Sequence, residues 1–168
     1  MRSVNLETAR LILRPHTVKD FEDYFEYIMD PDLQQMLGLN GVEDRESAQA
    51  TFQWLLDNVE FIAVVSKDRG KVIGHICVHP PIDKVAGKKG ASITFAIAKQ
   101  EQRKGLMLEA LQCLTAQMFP AGVDYIDCEY LPLNAASRRL QEKLGFQYWR
   151  TRQVGDEELI VNILQNPN

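Results

Sequence analysis

Nothing in this chain is apolar for long enough to cross a bilayer; a transmembrane helix needs about 20 such residues. The N-terminus has no apolar core of the secretory kind, so neither a leader nor a membrane span is expected, and the reading is cytoplasmic. Cysteine is scarce and odd in number. Cys77, Cys113 and Cys128 are widely spaced and form no C-x-x-C, which speaks for a reducing compartment and against a disulfide or zinc framework. An excess of positive charge is also missing. Lys and Arg number 19 against 23 Asp and Glu, a formal net charge of −4, so no nucleic-acid partner is expected. His75 and His79 stand four apart. On a strand that spacing is roughly 13 Å, whereas zinc–nitrogen bonds are about 2 Å, so no metal site is expected. G-x-G-x-x-G, G-x-x-x-x-G-K-[ST] and G-x-S-x-G are absent as well, which removes their chemistries from consideration.

What remains is an ordinary globular composition, 45% hydrophobic and 25% charged over 168 residues. It fits one domain over 1–168 with a sizeable core. Residues 10–14 read as a strand stopped by Pro15. Thr17 caps a helix carrying Phe21, Phe25 and Ile28, and Asp30-Pro31 ends it. A second helix spans 44–57, with Ala48, Phe52, Leu55 and Leu56 inward. Strands at 61–65 and 72–78 form a hairpin around 67–70. A polar loop over 80–90 leads to a strand at 93–98. The next helix puts Met107, Ala110, Leu111, Leu114 and Met118 on one side and stops at Pro120. A strand follows at 125–131. Asn134 then caps a helix with Ala136, Leu140 and Leu144 inward, which Gly145 ends. The last strand is 159–164. The order βααβββαβαβ implies an α/β (α+β) mixed sheet flanked by helices.

The segment Gln102-Arg103-Lys104-Gly105-Leu106-Met107 joins a strand to a helix. The first turn of a helix has unpaired amides and a dipole that favours anions. Gly105 allows close approach of a ligand to the backbone, and Arg103 and Lys104 add positive charge. This turn is the expected pyrophosphate cradle.

The same residues resemble the Q/R-x-x-G-x-G/A segment of the GNAT acyltransferases. Two further stretches resemble the RimJ/RimL-type N-terminal acetyltransferases of that family. One is Leu6-Glu7-Thr8-Ala9-Arg10-Leu11-Ile12-Leu13-Arg14-Pro15. The other is Asn134-Ala135-Ala136-Ser137 with Glu142-Lys143-Leu144-Gly145-Phe146. The resemblance implies a mixed, mostly antiparallel central sheet and acetyl-CoA as cosubstrate. Gln102 and the amides of Arg103, Lys104, Gly105, Leu106 and Met107 would hold the pyrophosphate. Met107 stands where the family has Gly or Ala, so its side chain must turn away. An amide from Ile97, Ala98 or Lys99, on a strand that bulges and splays from its neighbour, would face the thioester oxygen. Asn134 would contact pantetheine, and Ser137 would protonate the departing thiolate. The acid that the branch often carries on the strand at position 92 is here Ser92, so Glu129 and Tyr130 are candidates for the general base. Glu7, His79 or a water chain are others.

The implied reaction moves an acetyl group to a primary amine, either a protein N-terminus or a small molecule, in a ternary complex. The alternative is an acyl-CoA sensor with little turnover. The expected assembly is a monomer or a homodimer.

Overall fold

Residues 4–167 are described in the computed structural model. The extreme ends of the expected domain, 1–3 and 168, lie outside the described residues. The strands are β1 (Leu6–Glu7), β2 (Leu11–Pro15), β3 (Glu60–Ser66), β4 (Lys71–His79), β5 (Gly90–Ile97), β6 (Tyr125–Tyr130), β7 (Gln147–Val154) and β8 (Glu157–Gln165). Between them lie the helices α1 (Phe21–Ile28), α2 (Pro31–Leu37), α3 (Arg45–Asn58), α4 (Leu106–Met118) and α5 (Ala135–Leu144). All eight strands form one sheet, ordered β1-β2-β3-β4-β5-β6-β8-β7. Every neighbouring pair is antiparallel except β5–β6. This is the mixed sheet that the element order implied, and mostly antiparallel as the family resemblance implied.

The sheet separates two cores. Ile62, Val64, Ile76 and Ile93 pack with Ala110, Leu111 and Leu114 of α4 on one face. Phe61, Ala63 and Cys77 pack with Tyr24, Ile28 and Phe52 of α1 and α3 on the other. A strand buried on both faces reads as a continuous apolar run, and Phe61-Ile62-Ala63-Val64-Val65 is that run.

Four sequence expectations need correction. Asp30-Pro31 does more than end α1. The Asp30 carboxylate accepts the amides of Asp32 (2.9 Å) and Leu33 (3.2 Å), and Pro31 opens α2. A proline at the first helical position loses no hydrogen bond there. Thr17 caps no long helix; it precedes a three-residue 3-10 turn, and its amide and hydroxyl both donate to Asp20. The sequence pattern gives no sign of strand β7, because it lies at the sheet edge and most of its residues are exposed on both faces, so no alternation betrays it. Finally, Ala136 is exposed, and the inward stripe of α5 carries Ser137 and Gln141.

His16 lies in the second core, stacked on Phe61 at 4.0 Å between ring centroids. Neither of its ring nitrogens has a hydrogen-bond partner. His75, close by, pairs through Nδ1 with the Tyr27 hydroxyl at 2.8 Å. Burial pulls the pKa of His16 down to about 4 and that of His75 to about 3. Both values lie below the ordinary 6.5 of an unfolded histidine. The unfolded chain therefore binds protons first as pH falls. Stability is fully present above the unfolded value and is lost as pH drops towards the folded ones. Near pH 5 the loss is about 2 kcal/mol per histidine. Urea melts between neutral pH and that point should show the decline. His16→Phe, which keeps the stack, should remove its share of the slope.

Candidate active site

The single parallel pair opens the site. Strands β5 and β6 are paired only at Gly90–Tyr125, Ala91–Ile126 and Ser92–Asp127. Gly90 is required there, since a Cβ would stand 2.1 Å from the Tyr125 ring. Beyond Ser92 the two strands part, and a cleft of about 280 Å3 fills the gap. Thr94 and Phe95 line it from β5, Glu129 and Tyr130 from β6, and Asn134 and Ser137 from the start of α5.

The splay was expected; the bulge was not found. The β4–β5 register runs unbroken from Ser92 to Ile97, and irregularities lie instead in β3–β4 beside Val64 and in β7–β8 between Tyr148 and Arg150. Among the three amides named for the thioester oxygen, that of Ala98 donates to the Ile73 carbonyl at 2.8 Å. Alternation along the ladder then turns the Ile97 amide away from β4, towards the gap. The Ile97 carbonyl on that side accepts from Gln102 Nε2 at 3.3 Å. Lys99 reaches away and pairs with Asp32 of α2.

The turn ahead of α4 has the backbone geometry expected of an anion cradle. Gln102 is extended, Arg103 has φ +63° and Gly105 has φ +75°. Among the described residues Arg103 is the only non-glycine with positive φ. Such a residue costs roughly 1–2 kcal/mol, and strain of this kind collects at functional sites. Gly105 caps α4 without a side-chain bond. The Glu109 amide already reaches the Gly105 carbonyl at 3.0 Å, so the amides of Gly105, Leu106, Met107 and Leu108 are the ones a helix leaves unpaired. The Met107 side chain is 4% exposed and sits in the α4 core. The Gly/Ala-to-Met departure thus leaves the amide at the turn and its bulk elsewhere. Arg103 is exposed. Lys104 bonds Glu101 at 2.9 Å.

The N-terminal motif now has a physical role. Glu109, in the first turn of α4, accepts from the Thr8 hydroxyl at 2.6 Å, the Arg10 amide at 2.9 Å and Arg10 Nε at 2.7 Å. Arg10 also donates to the Lys104 carbonyl at 2.9 Å. The Thr8–Arg10 segment therefore holds the cradle from behind.

At the other wall, Asn134 Oδ1 accepts the Ser137 amide at 3.0 Å, and its Nδ2 donates to the Met36 carbonyl of α2, also at 3.0 Å. Ser137 is 8% exposed. Its Oγ accepts from Gln141 Nε2 at 3.1 Å, and Gln141 Oε1 accepts from Asn162 Nδ2 at 3.0 Å. A hydroxyl that receives a donor keeps its own hydrogen for another acceptor. Tyr130 interacts with the same Asn162, and burial raises its phenol above the ordinary 10.0. It is a hydrogen-bond donor near neutrality rather than a base. Both oxygens of Glu129 accept from Arg152, at 2.7 and 3.1 Å. That fork commits the carboxylate to a cation on β7.

Sequence reasoning missed Gln141, Asn162, Arg152 and Asp127. Asp127 is the register partner of Ser92. A buried carboxylate thus stands one strand across from the position that lacks one. Its Oδ2 accepts the Ile82 amide at 2.9 Å, and burial raises its pKa. The period-two pair Asp127 and Glu129 was the available signal.

The Acetyltransferase (GNAT) domain family model matches residues 10–147. The chain belongs to the GNAT acetyltransferase family. N-acetyltransferase YoaA of Bacillus subtilis is 31% identical over 148 residues, covering 84% of this chain and 82% of that protein. The fold of this GNAT chain matches a GNAT-family acetyltransferase from Bacillus anthracis at TM-score 0.84 and 22% identity, over 98% and 100% of the two chains. It matches the ribosomal-protein-S5-alanine acetyltransferase of Vibrio fischeri at TM-score 0.77 and 18% identity, over 98% of each. The enzyme is an acetyl-CoA-dependent acyltransferase. The anion cradle and the splayed strands fit that cosubstrate. Among the described residues no group of three or more His, Cys, Asp or Glu could hold a metal ion, and no helix is long and apolar enough to cross a membrane.

Proposed function

We propose that this GNAT enzyme acetylates a primary amine of α-amino type, at the N-terminus of a protein or peptide, as a RimJ/RimL-like member acting in the cytoplasm. One observation carries the reading: the buried Ser137 hydroxyl, fed by Gln141, with its hydrogen free beside the cleft. In this reading the turn at 102–107 binds the pyrophosphate through its amides. Asn134 meets the pantetheine arm. The Ile97 amide faces the oxygen on which charge develops. Ser137 gives its proton to the departing thiolate, and Tyr130 and the Glu129–Arg152 fork form the polar wall against which the amine is set.

The preference for an α-amino acceptor follows from protonation. Neutralising an amine of pKa near 8 at pH 7 takes roughly 1.4 kcal/mol, against about 4.6 kcal/mol for a lysine side chain. Of the carboxylates at or near the cleft, Glu129 and Asp127 are poorly suited to closing the larger gap, and Glu157 lines it from β8 as an exposed side chain. Glu129 is forked, and Asp127 is buried and holds the Ile82 amide. The three matched sequence segments and the alanine acetyltransferase of Vibrio fischeri support the same acceptor class.

A thiol-release assay with acetyl-CoA tests this. The panel is short peptides with free α-amino ends, the same peptides Nα-blocked but carrying lysine, free amino acids, polyamines and aminoglycosides. The expected result is thiol release fastest with the free α-amino peptides. Faster turnover of the blocked lysine peptides would overturn the acceptor class, and binding of coenzyme A with no release for any amine would favour a sensor.

A further inference from the structure

We propose that Thr94 and His79 carry the proton of the acceptor ammonium out of the cleft. The inference rests on the acetyl-transfer reading and supplies the proton acceptor that reading leaves open. Thr94 is exposed on β5 and lines the cleft. Its Oγ1 lies 3.2 Å from Nε2 of His79, the last residue of β4. The register explains the contact. Ser92 opposes His79 and Thr94 opposes Cys77, so His79 and Thr94 are diagonal neighbours on one face of an antiparallel pair.

The chemistry of the two groups suits a relay. A threonine hydroxyl donates and accepts at once. His79 is half-buried, and burial pulls its pKa below 6.5. The ring is therefore neutral near neutral pH, and one nitrogen can take a proton. The charged groups on the neighbouring elements are few. Glu60 on β3 opposes Val78. Asp127 on β6 opposes Ser92, and Glu129 follows it in a fork with Arg152 of β7. Asp83, in the loop after His79, is forked with Arg150.

The transfer balances without any further reagent. An ammonium N–H bond breaks and its proton joins Thr94 Oγ1, while the Thr94 hydroxyl proton joins His79 Nε2. The electron pair stays on the amine nitrogen and becomes its nucleophile. The imidazole becomes an imidazolium and later releases the proton to water at the strand end.

The test compares wild type, His79→Gln, Thr94→Val and the double variant in thiol release, using whichever amine of the panel above wild type turns over fastest. The pH is varied from about 6 to about 9, a window that spans the histidine and α-amino values. Wild-type kcat/KM should level off at or below the ordinary histidine value. His79→Gln should lose about 10²-fold at neutral pH. Its kcat/KM should then climb roughly tenfold per pH unit until the acceptor's own pKa, because only free amine now reacts. Thr94→Val, which removes a hydroxyl and keeps the shape, should give the same profile. The double variant should lose no more than the worse single one, as expected of groups acting as a unit. Added imidazole should partly rescue His79→Ala and leave Thr94→Val unrescued. A merely structural role would move none of these pH readouts. If wild type turns over and both single variants keep its pH profile, the relay is overturned and the acetyl-transfer reading stands. If wild type releases no thiol with any amine, that reading fails and takes the relay with it.

Discussion

Coenzyme A should bind a folded Gly105→Val variant about tenfold or more weakly than the wild type, a loss of roughly 1.4 kcal/mol or more. The reason is local. Gly105 stands at φ +75°, and a Cβ built there meets only an Arg10 guanidinium nitrogen, at 3.6 Å. The side chain thus enters open space at the start of α4, where the free amides of Leu106, Met107 and Leu108 would receive phosphate oxygens. Valine fills that space and cannot rotate out of it, because its branch is at Cβ. The left-handed backbone adds roughly 1–2 kcal/mol of folding strain, so the melting temperature falls as well. Gly105→Asn separates the two effects. Asparagine tolerates this conformation better, so its melting temperature should stay nearer the wild type while its coenzyme affinity still drops. Arg103→Ala should weaken binding less than valine, since an exposed side chain contributes only part of the attraction. Titration calorimetry with coenzyme A reads all three. A folded valine variant of wild-type affinity would remove the cradle from the site.

Ser137→Ala should lower kcat by about 10²-fold, the low end of the range for a proton-transfer partner. The low end applies because a coenzyme thiol has a pKa only modestly above neutral and leaves with limited help, as the ordinary thiol value of about 8.5 indicates. KM for acetyl-CoA should move little. A rise in KM with kcat held would instead make Ser137 a binding contact. The structure adds a second expectation. Alanine leaves the Gln141 amide without its acceptor in a fully buried position. An unmet buried donor costs about 1–3 kcal/mol, so the variant should also melt earlier. Steady-state kinetics with a circular dichroism melt separates the two effects. A kcat within about twofold of wild type, in the regime where chemistry limits turnover, would sink the acid role.

How far the sequence carried these arguments depended on where each signal resided. Most of the inward side of α4 was legible, because Met107, Ala110, Leu111, Leu114 and Met118 repeat at helical spacing and all are buried, with Leu106 and Thr115 buried beside them. The turn at 102–107 was legible for a related reason: glycine and basic residues between a strand and a helix leave few conformations. Strand β7 was not, since an edge exposed on both sides carries no alternation. The face of α5 was misread because apolar periodicity favours Ala136, whereas burial goes to Ser137 and Gln141. Polar residues can be buried there only because Asn162, distant in sequence, completes their hydrogen bonds. No local pattern encodes a partner 21 residues away. Asp127 was overlooked for a similar reason. Its meaning comes from lying beside Ser92, and that juxtaposition belongs to the one parallel strand pair.

That pair has a further consequence. Within the sheet, the β1–β5 half and the β6–β8 half meet through three residue pairs alone, and the remaining ties are α4, α5 and the loops. Each half carries its own antiparallel ladders, while one apolar core, from Leu11 and Ile62 to Ile126 and Cys128, runs beneath both. A cosubstrate lodged in that gap would touch both halves at once and add ties between them. Amide protection would then rise in strands far from any bound atom, and the enzyme at work would be a more cooperative object than the enzyme at rest.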